Sequence, residues 1–110
     1  MSLARMTPEL FALVAERFRA FAEPNRLQIL HVLRLREHTV SELVEETGIG
    51  QANLSKHLQQ LLSCGLVARR KEGLYTHYSL ADRDVLKMCE LMCGRLERET
   101  KERKKAFAAK

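Results

Sequence analysis

Residues 50–63 read Gly-Gln-Ala-Asn-Leu-Ser-Lys-His-Leu-Gln-Gln-Leu-Leu-Ser and carry two patterns at once. Leu54, Leu58, Leu61 and Leu62 recur at the i, i+4, i+7, i+8 spacing of one buried helix face. The opposite face holds Asn53, Lys56, Gln59, Gln60 and Ser63, a single full charge among amides and hydroxyls. A merely solvated helix is usually laced with Glu/Lys pairs. Amides and hydroxyls match the donors and acceptors on base edges, and an ammonium group meets phosphate. An ordinary amphipathic helix would show the same leucines, so the reading depends on what surrounds this stretch.

The surroundings are those of a helix-turn-helix. Thr39-Val40-Ser41-Glu42 is a capping box, with Thr at the cap and Glu three residues later. It opens a short helix, with Leu43 and Val44 inward, that runs to Gly48. Gly48 suits the end of that helix and Gly65 the end of the next. A short helix, a tight turn and a polar-faced second helix make the motif. Gly50 at the cap of the second helix is a weaker cap than Ser. Downstream, Leu66–Leu80 reads as a β-hairpin: two short β-prone runs around a turn at Glu72-Gly73, with a basic tip at Arg69-Arg70-Lys71. After a helix-turn-helix, such a hairpin is a wing.

Two helices precede this unit and one follows it. Thr7-Pro8 starts the first, and Leu10, Leu13, Val14, Arg17, Phe18 and Phe21 follow at helical spacing over a wide apolar face. Glu23-Pro24 breaks it and starts a second helix whose Leu27, Ile29, Leu30, Val32 and Leu33 make it central. Arg26 is an exception, placed at its exposed start, and His31 lies between apolar neighbours as a satisfied, half-buried histidine. Asp82 caps a long last helix whose stripe is Val85, Cys89, Met92 and Leu96, widened by Leu86 and Cys93. The expected fold is therefore mainly α with a β-hairpin wing, a winged helix-turn-helix of five helices in the order ααααββα. It forms one domain over residues 1–110, with frayed ends at about 1–6 and 104–110.

Charge sharpens the functional side. The net charge of +5 is unevenly spread. Residues 49–80 carry Lys56, Arg69, Arg70 and Lys71 against Glu72 alone, whereas 37–48 holds Glu37, Glu42, Glu45 and Glu46 and no base. Positive charge thus collects on the polar helix and hairpin, the footprint of a DNA-binding face. Residues 95–110 add seven Lys/Arg against three Asp/Glu, which alone would be a solvated run. No apolar run approaches a membrane span of about 18 residues. The first residues lack the apolar core of a signal peptide, so a cytoplasmic protein without membrane contact is expected. Three cysteines, an odd number, argue against a disulfide framework. No Gly-rich phosphate loop, HExxH or nucleophile motif suggests an enzyme.

Phe21-Ala22-Glu23-Pro24-Asn25-Arg26-Leu27-Gln28-Ile29-Leu30, Ser41-Glu42-Leu43, Leu54-Ser55-Lys56-His57-Leu58, Gly65-Leu66-Val67 and Arg70–Leu80 stand in this order and at this spacing. Together they resemble the ArsR/SmtB family of bacterial winged-helix repressors, over almost the whole chain. The resemblance implies a homodimer through the first and last helices. It implies a recognition helix in each of two major grooves of an inverted-repeat operator, and repression relieved by an effector. It places DNA contacts at Gln51, Asn53, Ser55 and Lys56, with Arg70 and Lys71 on the wing, and the polar face of the helix adds Gln59. The apolar faces of the first and last helices put the expected dimer interface at Leu10, Leu13, Val14, Val85, Cys89, Met92 and Leu96.

The familiar effector sites of that family are not intact here. Thr39 and Ser41 stand where many members carry a Cys-x-Cys pair, and hydroxyls are poor ligands for soft ions. Asp82 and Asp84 match the first half of an inter-helix zinc site, but Arg95 and Arg98 stand at the other half, and Arg cannot coordinate a cation. Cys89 and Cys93, four apart on the last helix, remain. From two chains they could converge as up to four thiols, a set for a soft metal, a metalloid or a redox switch. They equally suit small packing residues, as does Cys64. The reading is a dimeric DNA-binding repressor released by such an effector. The alternatives are a winged-helix protein-interaction module, or an effector-independent repressor whose cysteines only pack.

Overall fold

The computed structural model describes residues 5–108. Five helices and a small sheet follow one another as α1 (Pro8–Phe21), α2 (Pro24–Leu33), β1 (His38–Thr39), α3 (Val40–Thr47), α4 (Gln51–Ser63), β2 (Val67–Glu72), β3 (Tyr75–Leu80) and α5 (Asp84–Ala108). The first three helices begin where their side-chain caps dictate. Thr7 Oγ1 accepts from Leu10 N at 3.2 Å, ahead of Pro8. Glu23 Oε2 accepts from Arg26 N at 2.9 Å, ahead of Pro24. Thr39 and Glu42 close the capping box in both directions, at 3.2 and 2.9 Å. Each such cap contributes about 1 kcal/mol. α3 ends at Gly48, whose φ of 73° lies in the left-handed region that lets its N–H reach Val44 O.

The winged helix-turn-helix is present with one addition, a third strand. β1 pairs antiparallel with β3 (His38 opposite Tyr78, Thr39 opposite His77), giving the order β1-β3-β2. β2 pairs with β3 from Val67–Leu80 to Glu72–Tyr75. The two-residue turn is therefore Gly73-Leu74, one residue later than the sequence reading put it, and Gly73 takes the positive φ (62°) that such a hairpin requires.

The core is built from Ile29, Leu30 and Leu33 of α2, Leu43 of α3, Leu54, Leu58 and Leu61 of α4, and Leu66, Val67 and Tyr78 of the sheet region. Three expectations change. Val85 is buried in this same core at 6% exposure, so it packs inside the protomer and is not available to a partner. The first turn of α5 lies against the core, and the stripe leaves it further along. His31 is exposed, because α2 turns it away from Ile29, Leu30 and Leu33. The charged end of α5 stays helical to Ala108 where fraying from 104 was expected, with Lys101 paired to Glu97 at 3.5 Å. The fraying expected at 1–6 and at 109–110 falls, for residues 1–4 and 109–110, outside the described residues.

Candidate nucleic-acid interface

α4 is held by its leucines and leaves its other side free. Leu54, Leu58 and Leu61 are buried at 0–1% exposure. The turn before α4 is pinned by Ile49, which is buried, and by Thr47, whose Oγ1 donates to Leu43 O at 2.6 Å and accepts from Ile49 N at 3.2 Å. Gly50 brings no side chain to the start of α4, so the first-turn N–H groups of Gln51–Asn53 lack a side-chain cap. That end carries the positive half of the helix dipole and favours an anion such as phosphate.

Gln51, Asn53, Ser55, Lys56 and Gln59 are all exposed. Among the described residues none of these five side chains makes a hydrogen bond or ion pair within the protomer. Free amides and hydroxyls beside one ammonium group can read base edges and hold phosphate. Gln60 and His57, on the adjoining flank, differ: both are engaged by Arg26, and His57 Nε2 lies 3.8 Å from Glu23 Oε2.

The wing divides its cations between two faces. Residues opposite one another across β2 and β3 share a face. Val67, Arg69 and Lys71 therefore lie with Leu80, Tyr78 and Thr76, whereas Arg70 lies with His77. On that second face Arg70 forks onto Glu37, with Nε to Oε2 at 3.0 Å and Nη2 to Oε1, and it also reaches Glu72 at 2.9 Å. His77 lies 3.9 Å from Glu37 and 3.8 Å from Glu72. The Arg70 hydrogen bonds hold the Glu37 carboxyl below its ordinary pKa. Arg70, expected on phosphate, thus already has two carboxylates. Arg69 and Lys71 are exposed and, among the described residues, unpaired. The period-2 alternation of β2 was the signal that could have identified Arg69 as Lys71's companion.

α1 and α5 leave an apolar surface uncovered. Phe11, Leu13 and Phe18 of α1 are 53–59% exposed, and Leu91, Met92 and Leu96 of α5 are 54–75% exposed. Leu10, Val14 and Cys89 are half-buried beside them. Phe18, Phe21, Ala22, Leu27, Met88, Cys89 and Met92 line an apolar groove between the helices. Burial in that groove, with Cys93 and Glu90 nearby, pushes the Cys89 thiol above its ordinary pKa. Cys93 is exposed one turn on, and Cys64 packs against the core at the end of α4. Thr39 is committed to the α3 cap. Among the described residues no three His, Cys, Asp or Glu side chains gather to hold a metal within one protomer. None of the helices described is long and apolar enough to cross a membrane.

Residues 23–69 match the model of the bacterial regulatory protein, arsR family. The chain is 43% identical over 65 residues to a probable mercury resistance operon repressor of Streptomyces lividans, spanning 59% of this chain and 52% of that protein. It is 35% identical over 78 residues to the arsenical resistance operon repressor of Bacillus subtilis, spanning 70% of this chain and 74% of the relative. The solution structure of a homodimeric winged helix-turn-helix DNA-binding domain from Mycobacterium bovis superposes with a TM-score of 0.77 at 31% identity, covering 91% of this chain and 95% of that one. With the helix-turn-helix, the free polar face of α4 and the cationic wing in place, the chain belongs to the ArsR family of winged-helix, DNA-binding transcriptional regulators, a family of regulators and not of enzymes.

Proposed function

We propose that the chain acts as a homodimeric, sequence-specific repressor that binds an inverted-repeat operator and releases it on meeting a soft metal or metalloid. The observation that carries the DNA-binding part is the set of exposed, unengaged side chains on α4. Gln51, Asn53, Ser55 and Gln59 read bases, Lys56 takes phosphate, and Arg69 and Lys71 reach the backbone from the wing. A protein-interaction module would more often present an apolar or aromatic face there.

The dimer is supported by the uncovered apolar surface of α1 and α5, which is larger than scattered surface leucines would make it. Leu10, Leu13, Val14, Cys89, Met92 and Leu96 fall on or beside it. The effector role of Cys89 and Cys93 is supported by their single-turn spacing on that surface. Two protomers would bring up to four thiols together. The raised pKa of the Cys89 thiol disfavours oxidation through a free thiolate, whereas a metal or metalloid displaces the thiol proton as it binds.

Binding of the wild type to duplex enriched from a random pool, titrated with salt, tests the reading. The expected result is tight binding that weakens linearly on a log-log plot as salt rises. Leu96→Glu should sediment as a monomer and bind at least tenfold more weakly. A wild type that enriches no duplex, or a Leu96→Glu variant that remains dimeric, contradicts the corresponding half.

A further inference from the structure

Arg26 is the only Lys or Arg in α2, and nothing in the readout face accounts for it. Its guanidinium spans three helices. Nε donates to Ala20 O at 2.8 Å and Nη2 to Arg19 O at 3.2 Å, both in the last turn of α1. Nη1 donates to Gln60 Oε1 of α4 at 2.5 Å and lies 3.4 Å from His57 Nδ1 of α4. Its backbone N–H is meanwhile fixed by Glu23, the carboxylate that also faces His57. The cation sits at the negative end of the α1 dipole, so the contact is electrostatically favourable as well as directional.

α4 therefore has two polar flanks with different fates. Gln60 and His57 are tied to α1 and α2 through Arg26 and Glu23. Lys56 and Gln59 are untied. The leucines on the inner face secure α4 but are non-directional, and apolar contacts tolerate small rotations. A planar guanidinium with fixed donor angles does not.

We propose that Arg26 is the positioning residue of the recognition helix. It sets the rotation of α4 against α1 and α2, so that Asn53, Ser55 and Gln59 meet base edges in register, and it does not itself touch DNA. This rests on the reading of α4 as the helix that enters the major groove. Direct readout needs donors and acceptors placed within hydrogen-bonding geometry, so a small rotation removes sequence preference while leaving phosphate attraction in place.

The experiment measures binding of the full chain to the wild-type-enriched duplex and to random duplex, each across a salt series. Arg26→Gln should lower the enriched-to-random affinity ratio by about tenfold or more, the scale of lost charge-assisted hydrogen bonds, and leave the salt slope of random-duplex binding unchanged. A slope reduced by about 0.9 per protomer with the ratio unchanged would make Arg26 a phosphate contact and overturn the proposal. So would no change in either. Because Arg26→Gln also removes contacts that stabilise the fold, Gln60 supplies the second arm from the exposed side of the same bond. Gln60→Ala should lower the ratio several-fold. Gln60→Glu, which keeps an acceptor for Arg26 but reverses what a base edge would meet, should hold the ratio within about twofold. An unaffected Gln60→Ala, or a Gln60→Glu as defective as the alanine, overturns the assignment. If the wild type enriches no duplex, the reading of α4 itself falls, and the proposal with it.

Discussion

Removing the wing cations one at a time should separate those that meet DNA from the one that shapes the wing. Each phosphate neutralised contributes about −0.9 to the slope of log K against log salt, and a dimer carries two copies of each side chain. Arg69→Ala and Lys71→Ala should therefore each flatten the slope by about 1.8. Over a fourfold rise in salt, from about 50 to about 200 mM, the wild type should lose about 12-fold more affinity than either variant. Arg70→Ala should behave differently. Its guanidinium is already shared between Glu37 and Glu72, so little of its charge is left for phosphate, and removing it exposes two carboxylates. Affinity should fall at every salt concentration while the slope changes by less than about 0.5. Fluorescence anisotropy on a labelled random duplex reads all three. If Arg70→Ala flattens the slope as far as Lys71→Ala does, or Arg69→Ala and Lys71→Ala leave it unchanged, the assignment of the two faces of β2 is wrong.

Three further outcomes are expected. Leu58→Ala, at a core position 1% exposed, should cost about 2–5 kcal/mol in denaturant unfolding, and a loss below about 1 kcal/mol would mean that α4 is not seated as described. Glu42 should make stability acid-sensitive. The Thr39 backbone N–H, with Arg36, lowers its carboxyl from an ordinary 4.5 to about 2, so its contribution is complete above pH 4.5 and lost as pH falls toward 2. Glu42→Gln should flatten the fall in unfolding midpoint over that window, and parallel curves would deny the capping box this role. Cys89→Ser/Cys93→Ser should abolish release of bound DNA by arsenite, cadmium or zinc, with peroxide the weakest inducer of the wild type. An unchanged response in the double variant would make the cysteines packing residues.

What was legible in the sequence was what short-range chemistry specifies. Thr7-Pro8, Glu23-Pro24 and the Thr39/Glu42 box each fix a helix start within four residues, and Gly48 and Gly73 mark turns that need positive φ. The leucine spacing of α4 separated its buried face from its free one. What was missed depends on residues far apart in the chain. β1 is two residues long and exists only because His38 and Thr39 meet Tyr78 and His77. Val85, Met92 and Leu96 share one apolar stripe, and periodicity cannot say that its first member meets its own core while the rest stay uncovered. Arg70 looked free because Glu37 lies 33 residues away, and Arg26 looked exposed because its acceptors sit on two other helices.

The central claim is that α4 reads base edges twice, once from each protomer of a two-fold dimer. The most direct test repeats the selection of duplexes from a random pool with Asn53→Ala and compares the preferred sequences with those of the wild type. The account predicts that preference is relaxed at one position in each half-site, symmetrically about a centre, with half-sites about 10–10.5 base pairs or a multiple apart, and that affinity for random DNA is nearly unchanged. Selected sequences identical to those of the wild type, or an equal loss of affinity on selected and random DNA, would contradict it.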